Sequence, residues 1–347
     1  MNLSDLGFAR ADLAVLPTPF EETPRFAGAL GNRARVFMKR DDATGLALGG
    51  NKARKLEVLV GDALLKGCDT LVTCGGPQSN HARMTAAAAR KMGLHPVLVL
   101  DGDDPGTRQG NLLLDHLLEA ELIFSGTRDS GEMLPEVADR LKSSGRRPYV
   151  IPLGGSNALG AAGYISCVEE IVDQSLARAL VPQALYAATG SCGTLAGLIL
   201  GKILFDAPFR IIGVAVSPNA PLKEERTVKL VMETAALLIS RAKFQPELLG
   251  KLLAVTPQSV KPLVRVVEDQ VGQGYGVPTD QCLEAISLLA RNEGILTDPV
   301  YTGKALAGLV NDIRQGTYRA GDPVIFLHTG GVPADFAYRE ALTKGRN

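Results

Sequence analysis

The sequence predicts an α/β protein built on open, twisted, mostly parallel sheets. Three observations predict it. Strand-like and helix-like segments alternate along most of the chain. The strand-like runs are continuously apolar, which suits strands covered on both faces. The residues best suited to chemistry fall on glycine-rich turns after those runs, where doubly wound sheets place their ligands.

The elements follow in order. "RVFMKRDD" (35–42) reads as a strand and "KARKLEVLVGDALLKG" (52–67) as a helix. "TLVTCGG" (70–76) is a short apolar strand ending in glycine, and "SNHARMTAAAARKMG" (79–93) is a helix capped by Ser79 or Asn80. "PVLVLDG" (96–102), "ELIFSG" (121–126) and "PYVIPLGG" (148–155) read as strands, with a helix over 108–120. "LYAATG" (185–190), "RIIGVAVS" (210–217) and "PVIFLHTGG" (323–331) are the strands of the second half. The segment 218–270 is more helical and more charged, and its strands have no clear signal.

Composition narrows the function. The 347 residues are 46% hydrophobic and 21% charged, a globular balance. Lys plus Arg is 37 and Asp plus Glu is 37, so net charge gives no reason to expect nucleic acid or an anionic membrane as partner. Five scattered cysteines without a CxxC pair argue against a disulfide framework or structural zinc and fit a reducing cytoplasm. The four histidines show no metal spacing. The N-terminus does not read as a signal peptide, and no window reads as a membrane span.

Lys52 follows "GG" and Asn51 where a strand-like stretch gives way to a helix. A helix N-terminus disfavours a cation, so a surface lysine is an unsatisfying account of it. The same place lowers an amine's pKa and helps to make it a nucleophile. Gly45 and Gly50 imitate a P-loop, but Asn51 stands where the lysine belongs, which rules out that motif. "ATGSCGTLAG" (188–197) leaves a strand and opens a helix, which suits a phosphate. It is neither G-x-G-x-x-G nor a P-loop, and a plain packing turn is the alternative. Ser79, Asn80 and His81 open a helix after a glycine turn. Their N–H groups and side chains suit a carboxylate, although an ordinary cap explains one such residue as well. "LTDPVYTGKALAGL" (296–309) reads as a strand end joined to a helix, with Tyr301 and Thr302 at the junction. Tyr275, between glycines in "GQGYGVPTD", reads as part of a lid or site loop. A reactive lysine, a phosphate cradle, a carboxylate nest and two loop tyrosines are the parts a pyridoxal phosphate enzyme needs.

In these motifs the chain resembles the D-cysteine desulfhydrase and 1-aminocyclopropane-1-carboxylate deaminase family of fold-type II pyridoxal phosphate enzymes. "GGNKARKLE", "QSNH", "RPYVIPLGGSNALGAAGY", "TGSCGT" and "LTDPVYTGKA" occur in family order, and the likeness runs from "LPTP" (16–19) to "HTGG" (328–331). The resemblance implies a tryptophan synthase β-like pair of open sheet domains with pyridoxal 5'-phosphate between them. The larger would comprise 1–54 and 161–347, the smaller 55–160, and the protein would be a cytoplasmic homodimer acting on a small amino acid. Lys52 would carry the Schiff base and move the Cα proton. Asn80 would bond the cofactor's ring oxygen. Ser79, Asn80 and His81 would meet the substrate. Thr189, Gly190, Ser191, Cys192, Gly193 and Thr194 would cradle the phosphate, and Tyr275 and Tyr301 would lie near Lys52.

Two positions separate activities within that family. Thr302 stands where the ring-opening deaminases resemble one another in a glutamate that partners the pyridine nitrogen. A hydroxyl cannot keep that nitrogen protonated, which suits β-elimination better than cyclopropane opening. His81 stands where the deaminases typically have glutamine. Both favour elimination from D-cysteine or a related amino acid to pyruvate, ammonia and sulfide. L-cysteate sulfo-lyase and 1-aminocyclopropane-1-carboxylate deaminase are the alternatives with the same cofactor. A small-molecule binding protein without chemistry is the alternative of another class.

Overall fold

The computed structural model describes residues 7–241 and 246–343. The first six and last four residues of the expected larger domain lie outside these bounds, as do residues 242–245 of the helical segment. Strands β1 (Phe20–Glu22), β2 (Arg35–Lys39), β7 (Ala184–Thr189), β8 (Arg210–Ala215), β9 (Arg265–Val267) and β10 (Pro323–Leu327) form one sheet in the order β1-β2-β10-β7-β8-β9. All neighbours are parallel except β1 and β2. Strands β3 (Thr70–Gly75), β4 (His95–Leu100), β5 (Glu121–Phe124) and β6 (Pro148–Val150) form a second, wholly parallel sheet, ordered β5-β4-β3-β6.

The continuous apolar runs have the cause expected of them. On β10, Val324 and Phe326 enter one hydrophobic cluster while Ile325 and Leu327 enter another. Likewise Val36 and Met38 face away from Phe37. Alternate residues thus meet helices on opposite faces, as a period of two requires. Strand β6 is a short edge strand, and just past it the Ile151 N–H still donates to Val72 O of β3 at 2.8 Å.

Two expectations need correction. Strands β1 and β9, three residues each at the edges of the larger sheet, gave too short a pattern to be read. No strand leads into Asp298. The helix Asp280–Glu293 ends at Gly294, and the chain runs without regular structure to the helix Thr302–Arg314. The expected division at residue 54 lies within the helix Lys52–Leu65.

That helix is anchored by a buried ionic network. Arg54 reaches Asp41 through Nε (2.8 Å) and Nη2 (2.9 Å), and Glu170 through Nη1 (2.7 Å) and Nη2 (2.8 Å). Lys39 Nζ donates to the same Glu170 at 2.6 Å, and Thr18 and Tyr164 donate to Asp41. No helix among the described residues is long and apolar enough to cross a membrane.

Candidate active site

The C-terminal ends of the strands converge on one cavity of about 410 Å3, a size suited to a small molecule. Gly75 and Gly76 reach it after β3, Asp101 after β4, Thr189 and Gly190 at β7, Val216 and Ser217 after β8, and Thr329 after β10. Lys52, Ser79, Asn80, His81, Ser191, Cys192, Thr194, Tyr275 and Tyr301 also line it.

Lys52 is the first residue of its helix and is half-buried. The turn before it forces a tight path. Gly49 lies at φ +69, and a Cβ there would stand 1.7 Å from Asp42 O. Lys52 Nζ donates to Gly154 O at 3.3 Å. Burial pulls its pKa down to about 8, opposed by a hydrogen bond with Lys55. Burial, not the helix dipole alone, is the main cause of that shift.

Lys55, one turn further and fully buried, was not legible as a site residue. Its Nζ donates to the same Gly154 O at 3.1 Å and to Ser156 Oγ at 3.3 Å. Burial, then the neighbouring Lys52 charge, pushes its amine well below the ordinary lysine value. The only hint was the i, i+3 spacing of the two lysines.

The loop after β7 forms a bare cradle. Cys192 caps the helix Gly193–Leu204 at φ +70, a left-handed conformation that costs a non-glycine residue about 1–2 kcal/mol. The turn points the first N–H groups of the helix inward. Gly193 N–H donates to Ser156 Oγ at 3.2 Å, and Ser156 Oγ lies 2.7 Å from Ser191 Oγ. A Cβ on Gly193 would stand 2.5 Å from Ser156 Oγ and 2.8 Å from Lys55 Nζ. Hydroxyls, helix N–H groups and an amine thus meet where no side chain fits, a donor set that fits a phosphate. Asn51 Nδ2 donates to Thr194 Oγ1 at 2.9 Å and ties this cradle to the Lys52 turn. Lys223 and Arg226, from the helix Ala220–Arg241, line the cavity beside Cys192.

Across the cavity, Ser79 is both cap and wall. Its Oγ accepts the Ala82 N–H at 3.2 Å and keeps its own proton to donate. His81 Nε2 lies 2.8 Å from Thr73 Oγ1, whose hydroxyl donates to Ile151 O at 2.8 Å. Thr73 must therefore accept, so His81 carries its proton on Nε2, and Nδ1 has no hydrogen-bond partner among the described residues. Burial, then Lys52 and Lys55, hold the ring neutral. The Tyr275 and Tyr301 hydroxyls are bonded to each other, with ring centroids 5.8 Å apart. Burial pushes the Tyr301 phenol well above its ordinary value, and the half-exposed Tyr275 is raised in the same direction, so both are neutral phenols.

Thr302 does not reach the cavity. It is fully buried, its Oγ1 donates to Asp298 Oδ1 at 2.6 Å, and it accepts the Asp298 N–H at 2.8 Å. Asp298 also takes the N–H groups of Val300, Tyr301 and Thr302 at 2.9, 2.8 and 2.9 Å. The start of the helix consumes the Thr302 hydroxyl. Thr329, after β10, does reach the cavity, and its carbonyl accepts the Asn51 N–H at 3.0 Å.

Known proteins share this architecture. A family model described as pyridoxal-phosphate dependent enzyme matches residues 11–330. A D-cysteine desulfhydrase of Yersinia enterocolitica is 43% identical over 338 residues, 95% of this chain and 96% of the relative. A crystal structure titled as an ACC deaminase homologue superimposes with a TM-score of 0.84 at 38% identity, covering 98% of this chain and 97% of that one.

Proposed function

The chain belongs to the pyridoxal-phosphate dependent enzymes, and on that premise we propose that it is a carbon–sulfur lyase cleaving D-cysteine to pyruvate, ammonia and sulfide. The observation that carries the reading is a half-buried amine of lowered pKa, Lys52, set between a bare phosphate cradle and a carboxylate nest in one cavity. The near full-length likeness to a D-cysteine desulfhydrase supports the substrate.

Residues 189–194 with Ser156 and Lys55 would hold the phosphate, and Lys223 and Arg226 would add positive charge on that side. Asn80 would donate to the ring oxygen, and Thr329 would take the place at the ring nitrogen expected of Thr302. When bound, pyridoxal 5'-phosphate supplies an electron sink for the Cα carbanion. Lys52 Nζ takes the Cα proton, while Ser79 Oγ and the N–H groups of Asn80 and His81 at the start of the helix fix the substrate carboxylate. The Tyr275–Tyr301 pair protonates the departing sulfur as the Cβ–S bond breaks. Water then completes the products by releasing pyruvate and ammonia. The protein acts as a cytoplasmic homodimer, with residues 55–160 as a smaller domain over the cavity.

Product identity tests the reading. D-cysteine, L-cysteine, L-cysteate and 1-aminocyclopropane-1-carboxylate are supplied in parallel. Sulfide with pyruvate from D-cysteine is expected. Sulfite from cysteate alone, or 2-oxobutanoate from the cyclopropane alone, would move the activity to the corresponding alternative.

Two further results follow. Apoprotein recaptures the cofactor through neutral Lys52, so the recapture rate should rise with pH and level off above about 8. A rate still climbing toward the 10.5 of an ordinary lysine contradicts the buried amine. Thr329→Val should lower turnover by about tenfold through a lost hydrogen bond in the site. Thr302→Val should instead cost about 1–3 kcal/mol of stability, by stripping a donor from buried Asp298, with the cofactor spectrum unchanged. Thermal melts and spectra of both variants separate the two roles.

A further inference from the structure

Behind the cavity wall, polar side chains decide which atom Asn80 shows to the cofactor. Arg83 and Asn111 are fully buried, and neither lines the cavity. A guanidinium only donates, so the Asn111 atom 2.9 Å from Arg83 Nε is Oδ1. A carbonyl only accepts, so the atom 2.9 Å from Gln78 O is Asn111 Nδ2. With that amide pinned at both ends, its second Nδ2 hydrogen meets Asn80 at 3.0 Å, and Asn80 must answer with Oδ1. Gln78 Oε1 holds the Asn111 backbone N–H at 2.8 Å as well. Asn80 Nδ2 therefore turns the other way. It has no partner among the described residues, and Asn80 lines the cavity. Arg83 also donates to the carbonyls of Ala47 and Gly49, in the turn that delivers Lys52. One guanidinium thus bridges the Lys52 turn and the Asn80 amide.

We propose that Arg83 and Asn111 are positioning residues that lock Asn80 with its NH2 group toward the cofactor's ring oxygen, an inference that rests on the pyridoxal phosphate reading above. A donor there stabilises the oxygen as an anion. A reversed amide would set its own oxygen against it.

Asn111→Asp tests this with little change of shape. The carboxylate still accepts from Arg83 but cannot donate to Asn80, so Asn80 must reverse to satisfy it. Cofactor affinity and the absorption spectrum are measured for the wild type, Asn111→Asp, Asn80→Ala and the double variant. Asn111→Asp alone should weaken cofactor binding on the order of tenfold, the effect of one misplaced hydrogen bond, and shift the absorption band. In the Asn80→Ala background it should add nothing, because its effect passes through Asn80. An equal loss in both backgrounds, or an unmoved band, overturns the proposal. Borohydride labelling of Lys52 is run on every sample. Its absence from the wild type would overturn the cofactor reading itself, whereas labelled Lys52 with additive losses overturns only the relay. If Asn111→Asp does not fold, neutron diffraction of the wild type decides. Asn80 deuterons facing the cavity are expected, and deuterons facing Asn111 overturn the proposal.

Discussion

Replacing Lys52 with alanine is expected to lower turnover of D-cysteine by on the order of 1000-fold or more, the scale of losing a positioned proton carrier. Covalent attachment of the cofactor should vanish with it. Binding should persist in weakened form, because the cradle of residues 189–194, Ser156 and Lys55 is untouched by the substitution. Lys55→Met should do the reverse. It removes an amine from the cradle, so cofactor affinity falls while the bond to Lys52 still forms. Turnover and cofactor titration of the two variants give opposite signatures if the lysines divide the work this way. A Lys52→Ala enzyme with near wild-type turnover would end the account of Lys52 as proton carrier.

The second large effect is on stability. Arg54→Met should cost about 3–5 kcal/mol, the cost of breaking a buried charge network from one side. At this chain length that is a fall in melting temperature of about 5 °C. Burial pulls the Asp41 pKa up, but Arg54 and Lys39 outweigh it and hold the carboxyl below its ordinary value. Glu170 is likewise held low against its burial, by Arg54 and Lys39. A carboxyl lowered on folding contributes stability above its unfolded pKa and loses it as pH falls through the folded one. The wild type should therefore hold its stability at neutral pH and lose it progressively on acidification below about 4. In Arg54→Met, burial of Asp41 loses its largest offset and keeps only the weaker help of Lys39 and Tyr164, so the acid limb should move to higher pH. Melts across a pH series check both the size and the direction. An unchanged acid limb would mean that the ion pairs add nothing in solution.

Much of this was legible in the chain. Eight of the ten strands among the described residues announced themselves as apolar runs closed by glycine or a turn, and the candidate site residues sat at their ends. What failed has physical causes. Strands β1 and β9 are three residues long and carry charged residues, without the apolar continuation that made the equally short β6 readable in "PYVIPLGG". Thr302 was misplaced because sequence order cannot show that Asp298 competes for its hydroxyl. Thr329 carried only the faint signal of "HTGG". Lys55 and Ser156 sit inside motifs already noticed, but their convergence on Gly193 exists only in three dimensions. Cys192 was expected in the cradle, but only the structure shows that it occupies the left-handed turn that opens it.

The most direct test of the account is to reduce the purified, cofactor-loaded protein with borohydride and map the label by tryptic mass analysis. Arg54 lies between the two lysines, so trypsin separates Lys52 from Lys55. The account requires the reduced pyridoxyl phosphate mass on the peptide containing Lys52. The label on Lys55, or on neither lysine, would contradict it.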